Sequence, residues 1–277
     1  MGKLLTSNKI INNTRIAYGI HGEGEPLVLI HGTPSHSYEW RNVLPKLANR
    51  GYQVHLYDLL GYGRSERPID VDTSVTAQSK LLSALLDEWE LDQAHIVGHD
   101  IGGAIAMRLA VFNPQRVKTL TMIDTVSYNS WPSETWQKII KENLDTYSAM
   151  SESDFNELLS RQLNMTVHDS NNMMGEVLEN YLVPHKDILG RVSFFYHQVK
   201  HYDSKHTEEI VPSLKDLSMP VQILWGEEDS WQPVSYAKRL HKDIPNSVLH
   251  IIPNAGHFVM EDNPTLLSEF ILAFVNS

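Results

Sequence analysis

The chain has 277 residues, of which 42% are hydrophobic and 21% are charged, and it contains no cysteine. Twenty-three Lys and Arg against 34 Asp and Glu give a formal net charge of −11, which disfavours binding to nucleic acid and to anionic lipid. No apolar run reaches the ~18 residues of a membrane span. We therefore expect a globular protein of the reducing cytoplasm whose partner is a small neutral organic molecule. The composition leaves the oligomeric state open.

Six short apolar runs, each ending in a Gly, Asp or Asn cluster, predict β-strands that alternate with helical patterns. In chain order they are PLVLIHG, VHLYDLLGYG, AHIVGHD, VKTLTMID, PVQILWG and SVLHIIPNAGH. Between them, SKLLSALLDEWEL places its leucines on one face of a predicted helix. This alternation is typical of an α/β fold with a mostly parallel central sheet and crossover helices.

The alternation stops between Ser127 and Pro212, where helical patterns follow one another without a strand. The clearest are SETWQKIIKENLDTY, ESDFNELLSRQL and RVSFFYHQVKHY. Because the strand PVQILWG follows, these helices are inserted within the sheet-forming sequence. We predict a helical cap domain at 127–212 and a core domain that consists of residues 1–126 and 213–277.

The segment GHDIGG lies between a predicted buried strand and the helix AIAMRLAVF. It matches the strand-turn-helix motif G-x-S-x-G, except that Asp100 stands where serine usually lies. Gly98, Gly102 and Gly103 occupy the positions where such a sharp turn needs small residues. Asp100 is therefore the candidate nucleophile, although an aspartate here could also serve only as a helix N-cap.

Two later strands end in an acid and a histidine. Asp229 follows ILWG, and His257 follows HIIPNAG before a closing helix. Nucleophile, acid, histidine is the chain order of α/β-hydrolases. Asp124, at the end of VKTLTMID, is an alternative acid, because a carboxylate there could also reach the histidine.

The turn after LVLIHG supplies the remaining part of the predicted site. Such a turn contributes one backbone N–H to an oxyanion hole, and the residue after the nucleophile contributes a second. These donors are predicted to be Thr33 and Ile101.

Neither a cofactor nor a metal is predicted. GYGRSE begins like a dinucleotide-binding loop but lacks its third glycine and the acidic partner. His197, His201 and His206 are interpreted as polar positions on exposed helix faces rather than as metal ligands.

With these segments in place, the sequence resembles the α/β-hydrolase superfamily over its whole length, and within it the haloalkane dehalogenases and epoxide hydrolases. HGTPSHSYEWRN, DLLGYGRSERP and GHDIGG carry this resemblance, and SYEWRN is nearer to the dehalogenases. Two positions depart from the dehalogenase pattern. Ile101 replaces the usual Trp, which epoxide hydrolases also commonly carry, and Thr33 replaces a frequent Asn. The side-chain N–H groups that hold a halide are therefore missing.

An aspartate nucleophile is ionised at pH 7 and suits displacement at an sp³ carbon. The resemblance implies a covalent alkyl ester on Asp100, which is hydrolysed by water that His257 and Asp229 activate. We predict haloalkane dehalogenation first and epoxide opening as the alternative. Ester, lactone or carbon–carbon hydrolysis, a non-catalytic ligand-binding protein, and a chain in which aspartate has replaced a natural serine remain open.

The predicted cap offers two sets of leaving-group contacts. The indoles of Trp131 and Trp136 could bind a halide. The phenols of Tyr147, Tyr196 and Tyr202 could protonate an epoxide oxygen, as the paired cap tyrosines of epoxide hydrolases do.

Overall fold

The computed structural model describes residues 3–277 and contains one eight-stranded sheet within that range. The strand order is β1-β2-β4-β3-β5-β6-β7-β8, and β3 to β8 are parallel to one another. The six predicted strands are confirmed as β3 to β8. The strands are β1 (Ser7–Ile11), β2 (Thr14–His21), β3 (Glu25–Ile30), β4 (Tyr52–Tyr57), β5 (Ala94–His99), β6 (Val117–Ile123), β7 (Val221–Gly226) and β8 (Ser247–Ile252).

The antiparallel hairpin β1–β2 at one edge of the sheet is absent from our prediction. Its two-residue turn is Asn12–Asn13, and both residues have positive φ angles of 49° and 63°. Such turns match the twist of the flanking strands and favour asparagine. The dipeptide Asn12–Asn13, which follows NKII and precedes TRIAY, was therefore the available signal.

Helices cover both faces of the sheet. The helices before β6 and after β7 are α1 (Leu44–Ala48), α2 (Val75–Glu88), α3 (Ile101–Phe112), α10 (Val234–Asp243), α11 (Val259–Asp262) and α12 (Pro264–Val275). The helices between β6 and β7 are α4 (Glu134–Lys138), α5 (Leu144–Ser148), α6 (Glu152–Asn164), α7 (Gly175–Leu182), α8 (Ile188–Ser193) and α9 (Lys205–Glu208). Buried residues of α2, α3 and α10 form the core on one face, and those of α1 and α12 belong to the core on the other. None of the helices within residues 3–277 is long and apolar enough to cross a bilayer.

The helical segment between β6 and β7 is more broken than its sequence pattern predicts. RVSFFYHQVKHY was expected to form one helix, but α8 ends at Ser193 and a π-helical turn covers Phe194–Gln198. A second π-helical turn separates α4 from α5. These turns rotate the faces that follow them, so a simple 3.6-residue period cannot assign which side chains point inward.

The candidate residues meet at one edge of the sheet because they follow neighbouring parallel strands. Thr33 comes after β3, Asp100 after β5, Asp124 after β6, Asp229 after β7 and His257 after β8. These strands are adjacent in the sheet order. The carboxyl ends of parallel strands in open α/β sheets form the usual ligand site.

A buried ion pair fixes the chain near this edge. The guanidinium of Arg41 donates two hydrogen bonds of 2.6 Å to the carboxylate of Glu261, and the Tyr181 hydroxyl donates a third of 2.5 Å. Arg41 follows β3, Glu261 lies in α11 just after His257, and Tyr181 lies in α7. The pair therefore connects three segments that surround the site.

We predict that Glu261→Gln lowers the free energy of unfolding by about 3 kcal/mol, because it leaves the buried Arg41 charge without a counter-ion. Urea denaturation measures this loss. Asp87, which is exposed and pairs with Arg116, provides the control, and Asp87→Asn should cost at most about 1 kcal/mol. Equal losses for the two variants would contradict a stabilising role specific to the buried pair.

Candidate active site

Asp100 lies in a strained turn between β5 and α3. Its φ and ψ angles are 53° and −118°, a conformation that L-residues rarely adopt. A Cβ atom at Gly102 would lie 2.4 Å from the Ile30 carbonyl oxygen, and one at Gly103 would lie 2.2 Å from Thr125 Oγ1. The glycines therefore allow the start of α3 to approach the end of β3 and the segment after β6 closely. The Asp100 carboxylate makes no capping hydrogen bond to α3, so the interpretation of Asp100 as a simple helix N-cap is wrong.

The two oxygens of the Asp100 carboxylate have different neighbours. Oδ1 accepts a hydrogen bond of 2.7 Å from the Thr33 N–H. Oδ2 lies 3.5 Å from Nε2 of His257. One oxygen is therefore held by the backbone, while the other faces the imidazole.

His257 is fully buried, and its ring orientation is fixed by Asp229. Nδ1 of His257 lies 2.8 Å from Oδ2 of Asp229. The other oxygen of Asp229 accepts hydrogen bonds of 2.8 Å from the N–H groups of Trp231 and Gln232. Because a carboxylate only accepts, Nδ1 carries the hydrogen. Nε2 has no hydrogen-bond partner among residues 3–277 and is available to act on a proton near Asp100.

Asp124 is buried beside this pair but does not contact the imidazole by a hydrogen bond. Its Oδ1 accepts from the Gly226 N–H at 2.8 Å, and its Oδ2 has no partner within the described chain. Burial, and then the negative charge of Asp229, raise the pKa of Asp124 well above its ordinary value, which favours the neutral acid. The geometry thus pairs Asp229, not Asp124, with His257.

Burial alone would lower the pKa of His257, because it disfavours the charged imidazolium. The carboxylates of Asp229 and Asp100 outweigh this effect and raise the pKa well above its usual value. The imidazolium form is therefore favoured as long as both carboxylates are charged.

The two predicted oxyanion donors differ in the structure. The Thr33 N–H already contacts Asp100 Oδ1. Ile101 is the first residue of α3, and its N–H makes no hydrogen bond within residues 3–277. An unpaired N–H at a helix N-terminus can stabilise negative charge, and it directly follows the nucleophile turn.

A cavity of about 300 Å³ opens onto Asp100. Its lining is mostly apolar and aromatic, and much of it comes from the helical segment between β6 and β7. The lining includes Thr33, Asp100, Ile101, Trp131, Trp136, Gln162, Phe194, Tyr202, Trp231 and Gln232.

Three of the five predicted leaving-group residues line this cavity, namely Trp131, Trp136 and Tyr202. The prediction was wrong for Tyr147 and Tyr196. The Tyr147 ring packs against Phe195, and the Tyr196 hydroxyl donates to Asp145. The π-helical turn explains the error, because it orients Phe194 to the cavity and Tyr196 away from it.

The polar groups around the cavity are unequally available. The indole N–H of Trp131 donates to Thr207 Oγ1 at 2.9 Å, so it is already used. The Tyr202 hydroxyl lies 2.6 Å from Thr33 Oγ1. Packing of the phenol within the protein raises the pKa of Tyr202 well above its usual value, so Tyr202 is protonated at neutral pH.

Sequence reasoning missed Trp231 and Phe194. The Trp231 ring lies 5.1 Å from the His257 ring, and both Trp231 and Phe194 line the cavity. A signal for Trp231 was available, because it follows the predicted acid by two residues in WGEEDSWQP. Phe194 had no such signal, since its direction depends on the π-helical turn.

The chain belongs to the α/β-hydrolase family. It matches the family described as "alpha/beta hydrolase fold" over residues 25–264. A 2-hydroxy-6-oxononadienedioate/2-hydroxy-6-oxononatrienedioate hydrolase from Burkholderia vietnamiensis is 27% identical and covers 94% of this chain and 91% of its own length.

Solved structures confirm the predicted α/β-hydrolase fold. An alpha/beta hydrolase fold protein from Burkholderia ambifaria is 33% identical, with a TM-score of 0.91 and 97% of each chain covered. Epoxide hydrolase CorEH is 26% identical, with a TM-score of 0.85 and 98% coverage of each chain. Haloalkane dehalogenase DbeA from Bradyrhizobium elkani is 22% identical, with a TM-score of 0.83 and coverage of 98% and 97%, and supports the fold alone.

We predict that Asp100→Asn lowers the pKa of His257, because it removes one of two carboxylates that stabilise the imidazolium. An NMR titration of ¹⁵N-labelled imidazole measures this pKa. Asp124→Asn is the control and should shift it little, because the neutral Asp124 acid carries no charge to lose. A larger shift in the control would contradict the assignment of charges.

Proposed function

We propose that this protein is a hydrolase in which Asp100 attacks an sp³ carbon and forms a covalent alkyl ester. The observation that carries the proposal is the arrangement of the Asp100 carboxylate, with Oδ1 on the Thr33 N–H and Oδ2 facing Nε2 of His257. A serine at this position would need a base before it could attack, whereas a carboxylate does not. The helices between β6 and β7 act as the cap, because ten of the residues lining the cavity come from α4, α6, the turn before α4 and the segment after α8.

Epoxide opening is the reaction that the surroundings of Asp100 support best. Opening an epoxide forms a C–O bond to Asp100 and breaks the ring C–O bond, and the departing oxygen needs a proton. The protonated hydroxyl of Tyr202 faces the same cavity and can supply that proton. The relative CorEH, whose name states epoxide hydrolysis, agrees with this choice.

Two of the halide contacts considered from the sequence are unavailable in this cavity. Ile101 has no side-chain donor, and the Trp131 indole N–H is bonded to Thr207. These two observations reverse the order that the sequence resemblance favoured, so dehalogenation becomes the second candidate.

Hydrolysis of the ester uses His257 and the two oxyanion donors. Loss of the Asp100 charge on alkylation lowers the pKa of His257, so the imidazolium releases its proton to the tyrosinate of Tyr202 through the cavity. Neutral His257 then takes a proton from water, and the hydroxide formed attacks Cγ of Asp100. The Thr33 and Ile101 N–H groups stabilise the resulting oxyanion, each by about 3 kcal/mol. Release of the diol restores the carboxylate and the imidazolium.

The substrate is small and neutral. Within the described chain, the cavity lining contains no Lys or Arg, and Asp100 supplies its only carboxylate. A dianion such as the dienedioate in the name of the Burkholderia vietnamiensis relative would be buried there without a counter-charge, which is unfavourable. Three indoles and a phenyl ring favour an aryl or alkyl group instead.

We expect His257→Gln to accumulate the covalent intermediate, because epoxide opening needs Asp100 and Tyr202 but not the imidazole, whereas hydrolysis of the ester needs the imidazole base. Intact-protein mass spectrometry after incubation with styrene oxide should show a gain equal to the whole epoxide mass. A bromoalkane would add its mass less that of HBr. Asp100→Asn combined with His257→Gln is the control without a nucleophile. If neither probe gives an adduct on a folded His257→Gln protein, covalent catalysis by Asp100 is excluded for these substrates.

Tyr202→Phe should reduce the rate of epoxide opening by about 100-fold, the usual contribution of a general acid. Pre-steady-state formation of the ester from styrene oxide gives this rate. Tyr196→Phe is the matched control and should leave it unchanged, since its hydroxyl contacts Asp145 outside the cavity. Unchanged epoxide opening in Tyr202→Phe, together with turnover of a bromoalkane, would favour dehalogenation.

A further inference from the structure

A second carboxylate–imidazole pair lies directly behind the proposed active site. Glu39 belongs to the 3₁₀ turn Ser37–Asn42 after β3, and His99 is the last residue of β5, next to Asp100. Both side chains are fully buried. Nδ1 of His99 lies 3.3 Å from Oε1 and 3.4 Å from Oε2 of Glu39. No step proposed above uses either residue.

The hydrogen bonds of His99 determine how many protons the pair holds. Nε2 lies 3.0 Å from the carbonyl oxygen of His257. A carbonyl oxygen only accepts, so Nε2 carries a hydrogen. Nδ1 would then direct a lone pair at a carboxylate unless a further proton lies between His99 and Glu39. The pair therefore shares one proton and is uncharged overall, whichever partner holds it, which is the state that a fully buried pair needs.

The Glu39–His99 pair contacts both the segment that carries the oxyanion donor Thr33 and the segment that carries His257. Oε2 of Glu39 accepts from the Gly32 N–H at 3.4 Å, one residue before the oxyanion donor Thr33. The His99 ring packs 4.9 Å from the His257 ring and donates to the His257 backbone. A Cβ atom at Gly32 would lie 2.8 Å from Nδ1 of His99 and 2.7 Å from Cβ of Asp100. The three segments are therefore in close contact around Glu39 and His99.

We infer that Glu39 and His99 are positioning residues for hydrolysis of the alkyl ester. They hold the turn that presents the Thr33 N–H and the backbone that carries His257 in a fixed relation to Asp100. This inference rests on the proposed function, because it assigns the pair to the second of its two steps. Ester formation needs the Asp100 oxygen and Tyr202, whereas hydrolysis needs the oxyanion donor and the His257 base.

The test replaces Glu39 in two ways. Glu39→Leu removes the acceptor for Gly32 and the proton shared with His99. It should slow ester hydrolysis by about tenfold or more, since small displacements of catalytic groups cost up to ~100-fold, and the ester should accumulate during turnover of styrene oxide. Glu39→Gln should behave like the unaltered protein, because its amide can donate to His99 Nδ1, accept from Gly32 and remain uncharged.

Quenched-flow mass spectrometry measures the rate of ester formation and the rate of ester hydrolysis separately. A general loss of folded protein would reduce both rates equally. The pair Glu25–His95 lies at the amino ends of β3 and β5, away from the site, with a half-exposed carboxylate and a buried imidazole. It is the control, and Glu25→Leu should accumulate no ester. If Glu39→Leu is insoluble, His99→Phe keeps a ring of similar shape and should give the same accumulation.

Two results would overturn the inference: an equal fall in both rates in Glu39→Leu or His99→Phe, or a Glu39→Gln protein as impaired as Glu39→Leu. The His257→Gln protein distinguishes failure of the positioning role from failure of the proposed function. If His257→Gln accumulates ester and the Glu39→Leu and His99→Phe proteins do not, only the positioning role fails. If His257→Gln forms no ester either, the proposed covalent reaction itself fails.

Discussion

The strained backbone at Asp100 is the constraint on which the rest of the site depends. A positive φ angle at a residue other than glycine is costly. It persists because the start of α3 packs too closely against the end of β3 and the segment after β6 for any side chain at Gly102 or Gly103. This turn presents the carboxylate to the cavity. One oxygen accepts a hydrogen bond from a backbone N–H, and the other faces an imidazole at 3.5 Å. Neighbouring strands supply both partners, so the sheet order and the chemistry are linked.

Charge balance around His257 connects the two chemical steps. The imidazole lies between two carboxylates, and a third carboxyl group, Asp124, is buried beside them. Three negative charges in this volume would be strongly unfavourable. The raised pKa values of Asp124 and His257 favour a neutral acid and an imidazolium, which relieve that repulsion. The proposed conversion of Asp100 into a neutral ester would change the balance in the direction that makes His257 a base.

The sequence predicts the parts of the site that backbone topology determines. Asp100, Asp229 and His257 follow strands, and parallel strands end at one edge, so their proximity follows from the strand pattern. Side chains of the inserted helices follow no such rule. Tyr202 lines the cavity whereas Tyr196, six residues earlier, does not. The π-helical turn Phe194–Gln198 and the 3₁₀ turn Val199–His201 change the helical phase between them. The Glu39–His99 pair was also beyond sequence reasoning. Glu39 lies in SYEWRN and His99 in GHDIGG, but 60 positions separate them and neither segment indicates that their side chains meet.

Covalent catalysis by Asp100 is the central claim, and the path of one oxygen atom tests it most directly. The unaltered protein, in excess over styrene oxide, is allowed a single turnover in H₂¹⁸O. Attack of water on Cγ of the ester predicts a diol without ¹⁸O and one ¹⁸O atom in the Asp100 carboxylate, found by mass spectrometry of the peptide that contains it. A diol that carries ¹⁸O, with an unlabelled Asp100, would show direct attack of water on the epoxide and contradict the covalent mechanism.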